Sequence, residues 1–145
     1  MLVDHLSRGR LVTSNAVAIA RASYDRCCSA AQFFDVFYEH FFAACPAAPP
    51  MFSKTDFKRQ HRLLQHAIGL LLTYNHQATT EPNVLTRVAE RHGRGDLAVE
   101  PSFYPGFLES LIQTAREFDP EFSPEVDQAW REATAPGLAY MRSKY

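Results

Sequence analysis

The chain has 145 residues, 46% of them hydrophobic and 21% charged, with a formal net charge of -1. That is enough to build one core, too apolar for a disordered chain, and too near neutrality for bulk attraction to nucleic acid or an anionic membrane. The longest apolar run, residues 67–72, is far short of the roughly 20 residues that span a bilayer.

One domain is expected over residues 1–145, with residues 1–12 as an N-terminal arm. The first ten residues include Asp4, His5, Arg8 and Arg10 and lack the apolar stretch of a secretory leader. Cys27, Cys28 and Cys45 are odd in number and the first two are adjacent, which argues against a disulfide framework. No Cys-x-x-Cys pair suggests zinc or an iron–sulfur cluster. A cytoplasmic location fits this usage best.

The prolines punctuate the chain and the segments between them repeat with helical period. Thr13 or Ser14 is a candidate N-cap for a first helix with the stripe Val17, Ala20, Tyr24, Cys27 and Ala31. A second carries Phe34, Phe37, Tyr38, Phe41 and Phe42 and stops before Pro46. A third is expected over residues 56–75, with Leu63, Leu64, Ala67, Ile68, Leu71 and Leu72 on its apolar face. A short fourth segment opens at Pro82 and closes at Gly93 and Gly95. The fifth stripe is Tyr104, Phe107, Leu108, Leu111, Ile112, Ala115 and Phe118. Ser123 and Pro124 form the cap and first-turn pair of a sixth, whose inner face is Val126, Ala129, Trp130, Ala133, Gly137 and Met141. Pro136 is expected to kink it. No segment alternates with period two for long enough to compete as a strand, so the fold class is all-α.

The fourth segment holds the most informative residue. Leu85, Val88, Ala89 and His92 fall at i, i+3, i+4 and i+7, so His92 points where a core side chain should point. An imidazole there is either a hydrogen-bonded core histidine or a ligand to something buried.

Three blocks then line up in order. Phe37, Tyr38, Glu39, His40, Phe41 and Phe42 precede Pro46 and Phe52. Gln60 and His61 precede Leu64. Arg91 and His92 precede Tyr104 and Pro105, and Trp130 follows in the last helix. Over about residues 13–143 this arrangement resembles the globin family, and specifically bacterial single-domain haemoglobins. Tyr104 lies 12 positions after His92, further than in the commonest bacterial relatives, and the loop 93–101 can absorb the difference. No acid follows Glu132, whereas flavohaemoglobin-type globins carry a late glutamate that bonds the proximal pair. That departure argues against peroxidase-like activation of iron.

The resemblance implies a globin fold, a helical sandwich of about six main helices around a haem b pocket. It makes His92 the proximal iron ligand, with a backbone carbonyl near Val88 or Ala89 as acceptor for its other nitrogen. Phe52 would pack flat on the porphyrin, and Leu64 would crowd the ligand. Tyr38 and Gln60 would donate hydrogen bonds to bound oxygen. Val88, Val99, Phe107 and Leu108 are candidate pocket walls, and Tyr104 either neighbours the imidazole or fills core. Arg62, Arg91 and Arg94 are candidate partners for haem propionates or plain surface charge. Turning the distal helix by one residue, about 100°, would bring His61 to the iron instead of Gln60. His40, His66 and His76 have no supporting pattern and are read as surface residues.

The function expected is reversible binding of oxygen or another diatomic gas. The alternatives are a nitric oxide dioxygenase served by an external reductase, and a gas or redox sensor. A haemless interaction module is argued against by His92 and Phe52. Oligomeric state is not legible.

Overall fold

The computed structural model describes residues 2–74 and 81–145. Six α-helices follow one another: α1 Leu2–Cys28, α2 Phe33–Ala44, α3 Phe57–Thr73, α4 Thr86–His92, α5 Phe103–Phe118 and α6 Pro124–Ser143, with a 3-10 turn over Pro49–Phe52 between α2 and α3. Among the described residues there is no strand, and no helix is long and apolar enough to cross a membrane. The class is all-α, as the periodicity requires.

Helix boundaries follow local chemistry. Asp56 caps α3, its carboxylate accepting from the Lys58 and Arg59 amides at 3.1 and 3.4 Å. Ser123 caps α6, accepting from the Val126 amide at 3.2 Å, with Pro124 at the position where a missing N–H costs nothing. α6 continues through Pro136 to Ser143.

Three expectations need correction. Thr13 and Ser14 lie inside α1 and do not cap it, because the helix already runs from Leu2, through the span read as an arm. No proline interrupts residues 2–28 to stop it. Ala31 falls in the turn after α1 and is exposed, so the buried stripe is Ala16, Ala20, Ser23, Tyr24 and Cys27. Leu63 is 52% exposed: α3 buries Leu64, Ile68, Leu71 and Leu72, and Leu63 sits one residue off that stripe. Asn75, the expected end of the third helix, and His76 lie outside the described residues.

α1 packs chiefly on α6, and α2 on α5. The first crossing holds a polar clasp. Asp119, whose side chain is 0% exposed, accepts from Ser23 Oγ at 2.6 Å and from Arg26 at 2.6 and 3.0 Å. Trp130 Nε1 donates to Ser23 Oγ at 3.0 Å. A buried carboxylate is tolerated only when paired and bonded in this way. The second crossing is close: a Cβ on Gly106 would lie 2.3 Å from Cys45 Sγ, so glycine lets the start of α5 meet the end of α2 with the sulfur where it stands. Cys27, Cys28 and Cys45 are free thiols, and burial pushes the Cys27 thiol up to about 12.

Buried side chains divide into two apolar clusters. The larger joins α1, α2, α3, α5 and α6. The smaller consists of Leu71, Leu85, Ala89, Tyr104, Leu138 and Met141 and surrounds α4.

Candidate functional site

Between the two clusters lies a cleft of about 150 Å3, partly open to solvent, in the kind of apolar, concave setting that small-molecule and cofactor pockets favour. Among the described residues its lining is almost wholly aliphatic and aromatic and contains no formally charged side chain. The polar exceptions are Tyr38, Gln60, His92 and Tyr104.

Nine of the ten residues singled out in the sequence line this cleft. They are Tyr38 from α2, Phe52 from the 3-10 turn, Gln60 and Leu64 from α3, Val88 and His92 from α4, Val99 from the following loop, and Tyr104 and Phe107 from α5. Leu108 does not. It lies about 100° further around α5 than Phe107 and packs, half-buried, against both clusters. Met51, Phe103, Leu138 and Met141 also line the cleft and were missed. Met141 and Phe103 lie on or beside apolar stripes, but a stripe says only that a side chain points inward. Whether it meets protein or a cleft depends on how far apart the helices stand.

The imidazole of His92 is fixed by its own helix. A carbonyl can only accept, so the 2.7 Å contact with the Val88 oxygen means that Nδ1 carries the proton and donates. Nε2 is then the nitrogen with a free lone pair. Burial lowers the affinity of the ring for a second proton, with the Val88 bond opposing part of that fall. A neutral imidazole with a fixed tautomer is the form that binds a transition metal.

Tyr38 is buried, and burial pushes its hydroxyl up to about 12, with the neighbouring Gln60 amide offsetting part of the rise. It therefore keeps its proton and can donate. The ring is locked by aromatic neighbours: Phe37 at 5.2 Å, Phe52 at 5.6 Å and Phe57 at 5.4 Å, all edge-on, and His61 stacked at 5.7 Å with 14° between planes. Gln60 lines the cleft from α3, one turn before Leu64.

His61 stands behind Tyr38, away from the cleft. Its Nε2 lies 3.5 Å from Asp35 Oδ1, and it lines a separate surface groove with Gln32, Asp35, Phe42 and Phe57. The Leu64, Ile68 and Leu71 stripe fixes the rotation of α3 and turns His61 outward. His40 bonds Glu117 at 2.9 Å, and His66 is exposed. None of the three arginines lines the cleft: Arg91 pairs with Asp96 at 3.6 Å, Arg94 lies over the Tyr145 ring, and Arg62 borders a groove between α1 and α3.

The family model described as Globin matches residues 35–139. Among solved structures, the chain is similar to protein PA3967 from Pseudomonas aeruginosa PAO1, described as structurally highly homologous to a human hemoglobin. The two are 32% identical over 90% of this chain and 98% of that one, with a TM-score of 0.83. No curated protein gives a match.

Proposed function

Because the chain belongs to the globin family, we propose that its cleft would hold haem b with His92 as the protein ligand to its iron, and that it reversibly binds oxygen or another diatomic gas. The observation that carries this reading is the free Nε2 lone pair of a neutral, carbonyl-anchored imidazole in an apolar cleft. Haem would supply an iron with one further coordination position for the gas.

The chain's own residues then divide the work. The Val88 carbonyl holds the His92 proton on Nδ1 and fixes the ring's orientation. Phe52, Leu64, Val88, Val99 and Phe107 exclude water and offer flat or branched apolar surface to a tetrapyrrole. Tyr38 and Gln60, both donors lining the cleft, would donate hydrogen bonds to a gas held there. A buried hydrogen bond contributes on the order of 1 kcal/mol, so each donor is worth roughly five-fold in affinity.

The visible spectrum of the reduced protein, with and without carbon monoxide, tests the reading. The expected result is a Soret band that shifts on adding the gas. A purified protein that shows no such band, even after haem is added, would overturn it.

A further inference from the structure

We propose that the end of α6 positions His92: Tyr140 and Lys144 on one side, and the backbone of residues 144–145 on the other, hold both ends of α4 and set where its imidazole stands. This rests on the reading of His92 as the iron ligand.

α4 is seven residues long and has no side-chain cap at its start. A helix that short does not hold itself in water, so its place is dictated from outside. At its first residue the bonds run in one direction. The Asn83 amide donates to Thr86 Oγ1 at 2.8 Å. Thr86 Oγ1 lies 2.9 Å from the Tyr140 hydroxyl, which is 3.2 Å from a Glu81 carboxylate oxygen. The carboxylate can only accept, so Tyr140 donates to Glu81 and Thr86 donates to Tyr140. Lys144 closes the circuit through its ion pair with Glu81 and stands 5.7 Å over the Tyr140 ring.

The other end is held by backbone. A Cβ on Gly93, the residue after His92, would come within 3.0 Å of the Lys144 carbonyl oxygen, so α6 is a close backstop there. The Arg94 amide donates to the Tyr145 carbonyl at 3.2 Å, and its guanidinium lies 4.8 Å over the Tyr145 ring. The loop then folds back on α4, with the Val99 amide bonded to the His92 carbonyl at 2.9 Å. Because α6 is itself pinned to α1 through Trp130 and Ser23, these tethers add to the apolar packing of Leu85 and Ala89 and reference α4 to the main body of the fold.

The test reads two quantities in the purified protein: amide exchange along α4, and the iron–imidazole stretching band of the ferrous form. Tyr140→Phe keeps the ring and removes only the hydroxyl, so the fold is retained. It is expected to speed α4 exchange about five-fold, leave α1 unchanged and displace the band. Lys144→Gln should act in the same direction, and Lys144→Arg should restore the parent values of both. Unchanged exchange in Tyr140→Phe would overturn the proposal. So would faster exchange with an unmoved band, since Tyr140 would then hold the helix without setting the imidazole. Absence of the band from the parent protein would overturn the ligand reading itself, and this proposal with it.

Discussion

The two walls of the cleft are built by different means. The wall bearing Tyr38, Gln60 and Leu64 belongs to the larger cluster, in which, among the described residues, nineteen buried side chains from five helices interlock with Ala48 from the turn after α2. The wall bearing Val88 and His92 has six buried residues behind it and depends on polar tethers from α6. Geometry on the first side is a by-product of the core. On the second, a thinner apolar cluster shares the work with a few polar bonds, so removing one of them should be felt at the site.

That contrast can be broken or sharpened in order of effect. His92→Ala removes the ring on which the tethered wall converges and should abolish stable haem retention, measured as the ratio of Soret to protein absorbance. A normal ratio would remove His92 from the site. Trp130→Ala attacks the larger cluster, where the side chain is 0% exposed, and should cost about 3–5 kcal/mol in urea unfolding. Asp119→Asn tests the clasp beneath the same cluster. Burial pushes the Asp119 carboxyl up, but bonds from Arg26, Ser23 and the Glu121 amide outweigh that and hold it below the ordinary aspartate range. The folded pKa is thus below the unfolded one, so the carboxylate stabilises the protein above about pH 3.9 and ceases to as pH falls through the folded value. The Asn variant should be less stable by roughly 1–3 kcal/mol at neutral pH, with the gap closing in acid. A gap that persists there would mean that shape, and not charge, makes the clasp. Tyr38→Phe should speed oxygen dissociation roughly five-fold with little change in stability, and an unaltered rate in flash photolysis would take Tyr38 out of the ligand's reach.

The fold was legible wherever periodicity and punctuation agreed. Asp56, Ser123 and Pro124 mark helix starts on sight, the α6 stripe is buried as read, and of the α5 stripe Tyr104, Leu111, Ile112 and Ala115 are buried while Phe107, Leu108 and Phe118 are half-buried. Thr13 misled because a good capping residue within an uninterrupted helix looks like a start. Leu63 misled because it adjoins Leu64 and nothing in the local pattern says which edge of the apolar stripe is covered; α3 turns Leu64 inward and leaves Leu63 out. In the cleft, residues whose chemistry is distinctive stood out: His92 on an apolar stripe, Tyr38 among phenylalanines. Met51, Leu138 and Leu108 could not be sorted, since apolar side chains lining a space and filling one obey the same pattern. The tethers from Tyr140 and Lys144 were invisible for another reason. They join Glu81 and Thr86 to residues more than fifty positions away, and no local spacing encodes that.

The contact of Gly106 with Cys45 Sγ ties two positions into one unit of variation. A methyl group at 106 has nowhere to go unless the sulfur leaves, and Phe107, which lines the cleft, is the very next residue. An exchange at 106 alone would therefore disturb the lining of the cleft, so a tolerated one should arrive alongside a smaller or reoriented side chain at 45.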